Sequence, residues 1–421
     1  MHSIGWVPLV GGLLVAASTI SASAADLGGD CCADLEERIA ELEATTARKG
    51  NRKVSLTISG WVTQQLQWWD DGVESNAYLT DLSSDINSHV KFSGQTQISP
   101  GFNAGYVLQI ISSTAEPVLV NQDNDNALFN GSVSALQTYW FLSSDSLGKI
   151  SLGKLSPASD NATILIDGSG SLLPSNFVLF EGSSFFLNND GVRTSFTWGS
   201  LANCHHSNLG IGGDCNGLPS NAVRYDSPTF SGFSVSATWG EDDFWDVAAR
   251  YSGEFQSFKL AAAVAYSENT DENLFVPVPH RDASYFQVGA YLQHVPTGLF
   301  AYGAYGTEAT DHLTPGGNPI ADDHHWYVKA GIRQKWVPLG HTVLWGEYAR
   351  YSDMTGDSLI DAGATSSELD RWGLGVVQEI DAAAMSLWLK YRNLSGEVDG
   401  VAGLNDIDDF NTVVGGALIN F

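Results

Sequence analysis

The residues of this chain that could do chemistry are four cysteines, the histidines beside two of them, and a sparse set of charges. Cys204 and Cys215 stand with ten residues between them, around the Gly-rich stretch IGGD. In an oxidising compartment a loop disulfide is the first reading of such a pair. Zinc is the rival, because Cys204, His205, His206 and Cys215 are the right ligand types, but their spacing matches no common zinc module. Cys31 and Cys32 are adjacent, which strains a bond between them and leaves links between copies or free thiols open. His324-His325 falls at a strand start near the outer rim, where exposed polar side chains are a commoner reading than metal ligands. The acidic runs NQDNDN (121–126) and GEDDFWD (240–246) could attract divalent cations, yet neither fits a D-x-[DN]-x-[DN]-G loop, and solvated loop tips are the commoner explanation. No G-x-S-x-G elbow or H-E-x-x-H pair is found, so the sequence calls for no enzyme, no cofactor and no resident metal.

The charge balance excludes more. There are 20 Lys+Arg against 48 Asp+Glu, a formal net charge of −28, and a sequence pI near 4.4, so no nucleic-acid partner is expected. Only 16% of residues are charged while 11% are aromatic and 44 are glycine, which fits neither a disordered acidic tail nor a disulfide-stapled miniprotein.

The elements that must position these groups begin after a processing segment. Residues 1–24 read as a signal peptide: the apolar run IGWVPLVGGLLVAA is followed by small residues and an A-x-A site at Ala22-Ser23-Ala24, although Met1-His2 supplies no Lys or Arg. Residues 25–52 hold the one helical stretch, with Leu35, Ile39 and Leu42 spaced four then three. An oligomerisation stalk and a solvated helical linker are both open readings of it. No later apolar run reaches the roughly 20 residues that a membrane helix needs.

From Val54 the period is two. VSLTISGWV sets Val54, Leu56, Ile58, Gly60 and Val62 against Ser55, Thr57, Ser59, Trp61 and Thr63, and FKLAAAVAYS and MSLWLKYR alternate in the same way. Candidate strands fall near 54–69, 88–98, 102–112, 134–143, 148–156, 222–227, 232–240, 244–254, 257–267, 283–294, 299–307, 323–335, 341–354, 367–380, 384–394 and 409–421. That is about sixteen, each roughly the length of a tilted membrane strand. Their connections alternate short and long, with the link near 240–243 as the exception. Short turns at one rim and long loops at the other predict an all-β, 16-stranded antiparallel transmembrane barrel over residues 53–421, preceded by a short N-terminal helix. Closure removes the strand edges that lipid cannot satisfy. The last strand, FNTVVGGALINF, ends on Phe421.

Two blocks carry a resemblance. CCADLEERIAELEATTARKGNRKVSLTISG (31–60) and VRYDSPTFSGFSVSATWGEDDFWDVAARYSGEF (223–255), with Cys204 and Cys215 just upstream, are similar to the alphaproteobacterial general porin family, over about Ala25 to Phe421. The resemblance implies a multi-pass outer-membrane barrel and a homotrimer that passes small hydrophilic solutes and ions by diffusion; a substrate-specific channel is the alternative. It further implies contact with outer-membrane lipids and lipopolysaccharide, with the barrel assembly machinery through a terminal signal at Phe421, and with peptidoglycan through Ala25. Similar porins fold the third outer loop into the barrel, and the 65 residues 157–221 match that loop.

The segment has the means to constrict a pore. Phe177, Phe180, Phe185 and Phe186 could anchor it, while Asp160, Asp167, Glu181 and Asp190 could line water. Parity puts Arg250, Lys259, Lys329, Arg333, Arg371, Lys390 and Arg392 inside the wall, with Lys91 on an earlier strand, since an outward charge at mid-membrane costs about 2–4 kcal/mol. A basic wall opposite an acidic loop would set a transverse field across the constriction, and the net charge predicts a modest cation preference. The simpler role for each basic residue is an ion pair holding loop to wall.

Overall fold

Alternation of side chains, rather than the hydrophobicity of any segment, decides this fold. The computed structural model describes residues 53–128, 131–205, 211–241, 243–270, 282–311, 313–314, 316–317 and 319–421. The signal segment, Ala25, Cys31-Cys32 and the expected N-terminal helix lie outside the described residues.

Among the described residues the strands, in chain order, are β1 (Thr57–Asp70), β2 (Ser75–Thr80), β3 (Ser88–Ser99), β4 (Phe102–Ser112), β5 (Val133–Ser144), β6 (Gly148–Leu155), β7 (Phe186–Asn189), β8 (Val192–Thr197), β9 (Ser220–Asp226), β10 (Phe233–Gly240), β11 (Trp245–Phe255), β12 (Phe258–Asn269), β13 (Ala283–His294), β14 (Leu299–Thr310), β15 (Asp323–Val337), β16 (Gly340–Ser352), β17 (Ser366–Ile380), β18 (Met385–Asp399) and β19 (Phe410–Asn420). Sixteen of them, all but β2, β7 and β8, form one closed antiparallel barrel in which each strand pairs with its neighbours along the chain. β19 closes on β1 from Trp61↔Asn420 to Asp70↔Asn411. Phe421 completes the seam: its N–H donates to the Gly60 carbonyl and the Gly60 N–H returns the bond, both at 3.1 Å.

The sequence pattern predicts loops over 70–87 and 157–221. Within the first, β2 pairs with the upper half of β1; within the second, β7 and β8 form a hairpin of their own. Connections at the lower rim are tight (100–101, 145–147, 256–257, 338–339), and those at the upper rim are long except for the four-residue link 241–244 between β10 and β11. No described helix is long and apolar enough to cross a membrane.

Burial is inverted relative to a water-soluble sheet. On β13 the odd positions Tyr285, Gln287, Tyr291 and Gln293 are buried inside, while Phe286, Val288 and Leu292 are exposed outside. Leu260, Val264, Leu344, Leu374 and Leu389 extend the same outer apolar band. Trp61 and Trp388 point inward, as parity requires. Trp388 lies flat on Gly416, where an added Cβ would come within 2.3 Å of its ring, and Trp345 lies on Gly375 at 2.4 Å. Glycine at those two places lets a large ring lie against the inner wall instead of filling the lumen.

Candidate functional site

Residues 156–219, between β6 and β9, run inside the barrel. Their apolar anchors explain why. Phe177 is 1% exposed and packs 5.7 Å from His325 and 5.9 Å from Tyr327 on β15, while the Tyr351 hydroxyl donates to its carbonyl. Phe185 is fully buried, 4.9 Å from Trp69 on β1 and 4.8 Å from Phe410 on β19. Phe180 and Phe186 are half-buried beside this core. The segment is thus stitched to two separate arcs of wall by ring contacts. Cys204 and Cys215 are disulfide-bonded, with Cα atoms 5.4 Å apart, which closes its last stretch.

Charges complete the docking. The Lys329 ammonium meets Asp167 at 2.5 Å, both side chains fully buried, and also donates to the Ser175 carbonyl at 2.6 Å. Glu181 takes Lys390 and Arg392, each at 2.5 Å, and Arg392 reaches Glu347 on β16 at 2.6 Å. Arg371 donates to the carbonyls of Val178 (2.9 Å) and Asn176 (2.7 Å), and Arg250 donates to that of Ala158. Burial raises the pKa of the Glu181 carboxyl, but Lys390 and Arg392 outweigh it and bring the value down to about 2. Five of the eight basic residues placed inside by parity, Arg250, Lys329, Arg371, Lys390 and Arg392, therefore bond the inserted segment from the wall. Near the lower rim, Arg333 pairs with Glu379 at 2.9 Å and Lys259 with Glu254 at 3.4 Å. Asp190 stands exposed at the tip of the β7–β8 hairpin, where its N–H donates to the Asp406 carbonyl.

Where the inserted segment turns away from the wall, other residues are left open. Leu165 is 48% exposed and Asn161, Leu172 and Leu173 are half-buried. The 3-10 turn Ser84–Ile86 in the loop before β3 meets this face, with the Asp85 carboxylate hydrogen-bonded to Asn161. Asp160 and Asp214 lie behind it. Burial, with Asp85 as a like-charged neighbour, pushes Asp214 up to about 8; burial also lifts Asp85 to about 6. Asp160 is raised well above the ordinary carboxyl range by burial and then by Asp214 and Asp85, with Ser156 and Arg224 acting the other way. Asp85 from one loop and Asp160 and Asp214 from another thus stand close together, and none of the three forms an ion pair among the described residues.

Several of these residues were not singled out from sequence. Glu347, Arg224, Asp226 and Lys149 face inward by the same alternation that placed the others: Glu347 sits in VLWGEYARY two residues from the inward Trp345, and Arg224 and Asp226 bond at 2.7 Å on β9. Asp85 carried no such signal, because its turn is not periodic.

Comparison with known proteins agrees with this architecture. A family model described as Gram-negative porin matches residues 12–395. The anion-selective porin from Comamonas acidovorans superposes with a TM-score of 0.57 at 16% identity, covering 87% of this chain and 100% of that one. OmpF of Salmonella typhi, in complex with daunomycin, gives 0.55 at 16% identity over 88% of this chain and 98% of that one. OmpT of Vibrio cholerae in its trimer form gives 0.52 at 12% identity over 87% and 99%. Among curated proteins, the chitoporin of Vibrio furnissii is 33% identical over 99 residues; the match covers 20% of this chain and 24% of that relative.

Proposed function

This chain belongs to the Gram-negative porin family, and from that premise we propose that it works as a general diffusion channel of the outer membrane, passing small hydrophilic solutes and ions and making or breaking no bond. The observation that carries the reading is the inserted segment itself. It is fixed to one arc of wall by buried ion pairs and leaves a partly polar face open, which is what sieving by size requires. A dedicated sugar channel would keep an aromatic track accessible. Here Tyr285, Tyr291, Tyr302, Tyr327 and Tyr351 are all 0–3% exposed beneath the segment, so the general reading is favoured over the substrate-specific one that the short chitoporin match invites.

On this reading the narrow region is lined by Asp85, Asn161 and Leu165. Lys329, Arg371, Lys390 and Arg392 hold the segment in place, with Asp167 and Glu181 as their counter-charges. Asp85, charged above about pH 6, then favours cations modestly, in line with the net charge of −28. Membership of the alphaproteobacterial subfamily, a homotrimeric state, covalent attachment to peptidoglycan through Ala25, contact with lipopolysaccharide, and recognition of Phe421 by the assembly machinery are further parts of the proposal.

Planar-bilayer recording tests it. Conductance linear in salt, steps in threes and a reversal potential of cation-selective sign are expected in a salt gradient. Saturable flux of one solute class, or anion selectivity, would overturn the general-diffusion or the charge assignment respectively.

A further inference from the structure

β1 changes partner halfway along its length. It pairs with β3 from Thr57↔Ser93 to Trp61↔His89, and with β2 from Gln65↔Thr80 onward. At the fork the Ser88 hydroxyl accepts from the Thr63 N–H at 3.0 Å and donates to the Thr63 carbonyl at 3.1 Å. Residues 81–87 link β2 to β3 across this fork and hold the 3-10 turn Ser84–Ile86 with Asp85. Outside any ladder, the carbonyls of such a turn take their partners from side chains.

Two of those side chains stand at the last β1–β3 pair. The Trp61 indole Nε1–H donates to the Ile86 carbonyl at 3.1 Å, across 25 residues of chain. His89 Nδ1 lies 3.2 Å from the Asn87 carbonyl, and a carbonyl only accepts, so the ring proton sits on Nδ1. The two rings meet edge to face with centroids 4.1 Å apart, which fixes each against the other. Other bonds shape the loop itself. The Ile86 N–H donates to the Ser83 carbonyl, the Ser83 N–H to the Asn87 amide oxygen, and the Asn87 amide to the Ser113 hydroxyl, each at 2.8 Å. These close the loop and tie it to the residue after β4, whereas the two rings tie it to the inner faces of β1 and β3.

We propose that Trp61 and His89 are positioning residues for ion selectivity: they hold the turn so that the Asp85 carboxylate stands at the narrow region. Rings that only filled space would need no polar edge. Here two inward rings on different strands each direct a ring N–H to one of two successive carbonyls, those of Ile86 and Asn87, next to the acid. The inference goes beyond the channel assignment and rests on the reading of Asp85 as a lining acid.

The test is the reversal potential of the full-length channel in planar bilayers under a salt gradient, at about pH 8, where a histidine side chain is neutral. Trp61→Phe keeps a ring against His89 and loses the N–H; His89→Phe keeps a ring against Trp61 and loses Nδ1. Asp85→Asn and its double variant with each are recorded alongside, after SDS–PAGE before and after heating has shown each barrel to be folded. Each Phe variant is expected to lose cation preference in the direction of Asp85→Asn, and to add nothing in the Asp85→Asn background, where no charge is left to position. Should one Phe variant not fold, the other decides. A wild-type reversal potential in the Phe variants, with a shift in Asp85→Asn, overturns the positioning role and leaves Asp85 as a lining acid. Shifts that add in full to that of Asp85→Asn overturn it as well, since the rings then act by another route. No shift in Asp85→Asn itself overturns the lining role and this inference with it.

Discussion

Substituting Glu181→Gln isolates what holds the inserted segment. Its carboxylate accepts from Lys390 and Arg392 at 2.5 Å each, with both bases 2–5% exposed in their side chains. Removing the charge strands two cations unequally. Arg392 keeps Glu347 at 2.6 Å, whereas Lys390 keeps the Pro174 carbonyl at 2.8 Å and no carboxylate within ion-pair distance among the described residues. Breaking a buried pair in this way costs about 3–5 kcal/mol, and at about 1.4 kcal/mol per tenfold the docked-to-undocked ratio of the segment falls roughly 100-fold or more. The wall is untouched, because its strands bond one another through backbone groups. Single-channel recordings should therefore show new conductance substates and excess current noise in a barrel that still migrates as folded protein before heating. Adding Lys390→Met, which removes the stranded ammonium, should recover part of the quiet state. Wild-type conductance and noise in Glu181→Gln would refute the claim that this carboxylate docks the segment.

Other perturbations probe other steps. Gly375→Leu forces side-chain atoms into the Trp345 ring, which a Cβ alone would approach to 2.4 Å; a loss of about 1–3 kcal/mol is expected in urea unfolding from lipid vesicles. Since Asp85 is lifted to about 6 by burial, its carboxylate is charged above that pH and neutral below it. Cation preference should be fullest near about pH 8 and fall toward about pH 5, while Asp85→Asn should show a lower, flatter profile in reversal-potential measurements. Replacing both Cys204 and Cys215 by Ser opens the loop between them, for about 2–4 kcal/mol of lost stability, read as faster proteolytic cleavage between residues 200 and 219 with conductance largely kept.

How much of this was legible in the sequence follows from which solvent each side chain meets. A barrel strand sees hydrocarbon on one face and the lumen on the other, so its composition alternates, and parity alone sends Arg250, Lys259, Lys329, Arg333, Arg371, Lys390 and Arg392 to the inner side, where the register puts them. The same parity turns Glu347 and Arg224 inward. The inserted segment meets no second solvent with any period. Phe177, Phe185 and Glu181 mark it as foldable, but whether Glu181 meets Lys390 or Lys329 depends on how the segment is threaded, which no local pattern encodes.

The loop before β3 is a harder case. Asp85 matters because a 3-10 turn carries it against Asn161, and the turn exists because β2 leaves the wall after Thr80, so that residues 81–87 fill the gap between β1 and β4. Gln64, Asp81 and Thr114 bond across that gap, and each reads alone as an ordinary polar residue. The same departure of β2 from the wall thus sets Asp85 against Asn161 on the inserted segment. A variant that lengthened β2 to pair fully with β4 should therefore draw Asp85 away from Asn161 and lower the cation preference, and an unchanged reversal potential would refute the link between this irregular strand and selectivity.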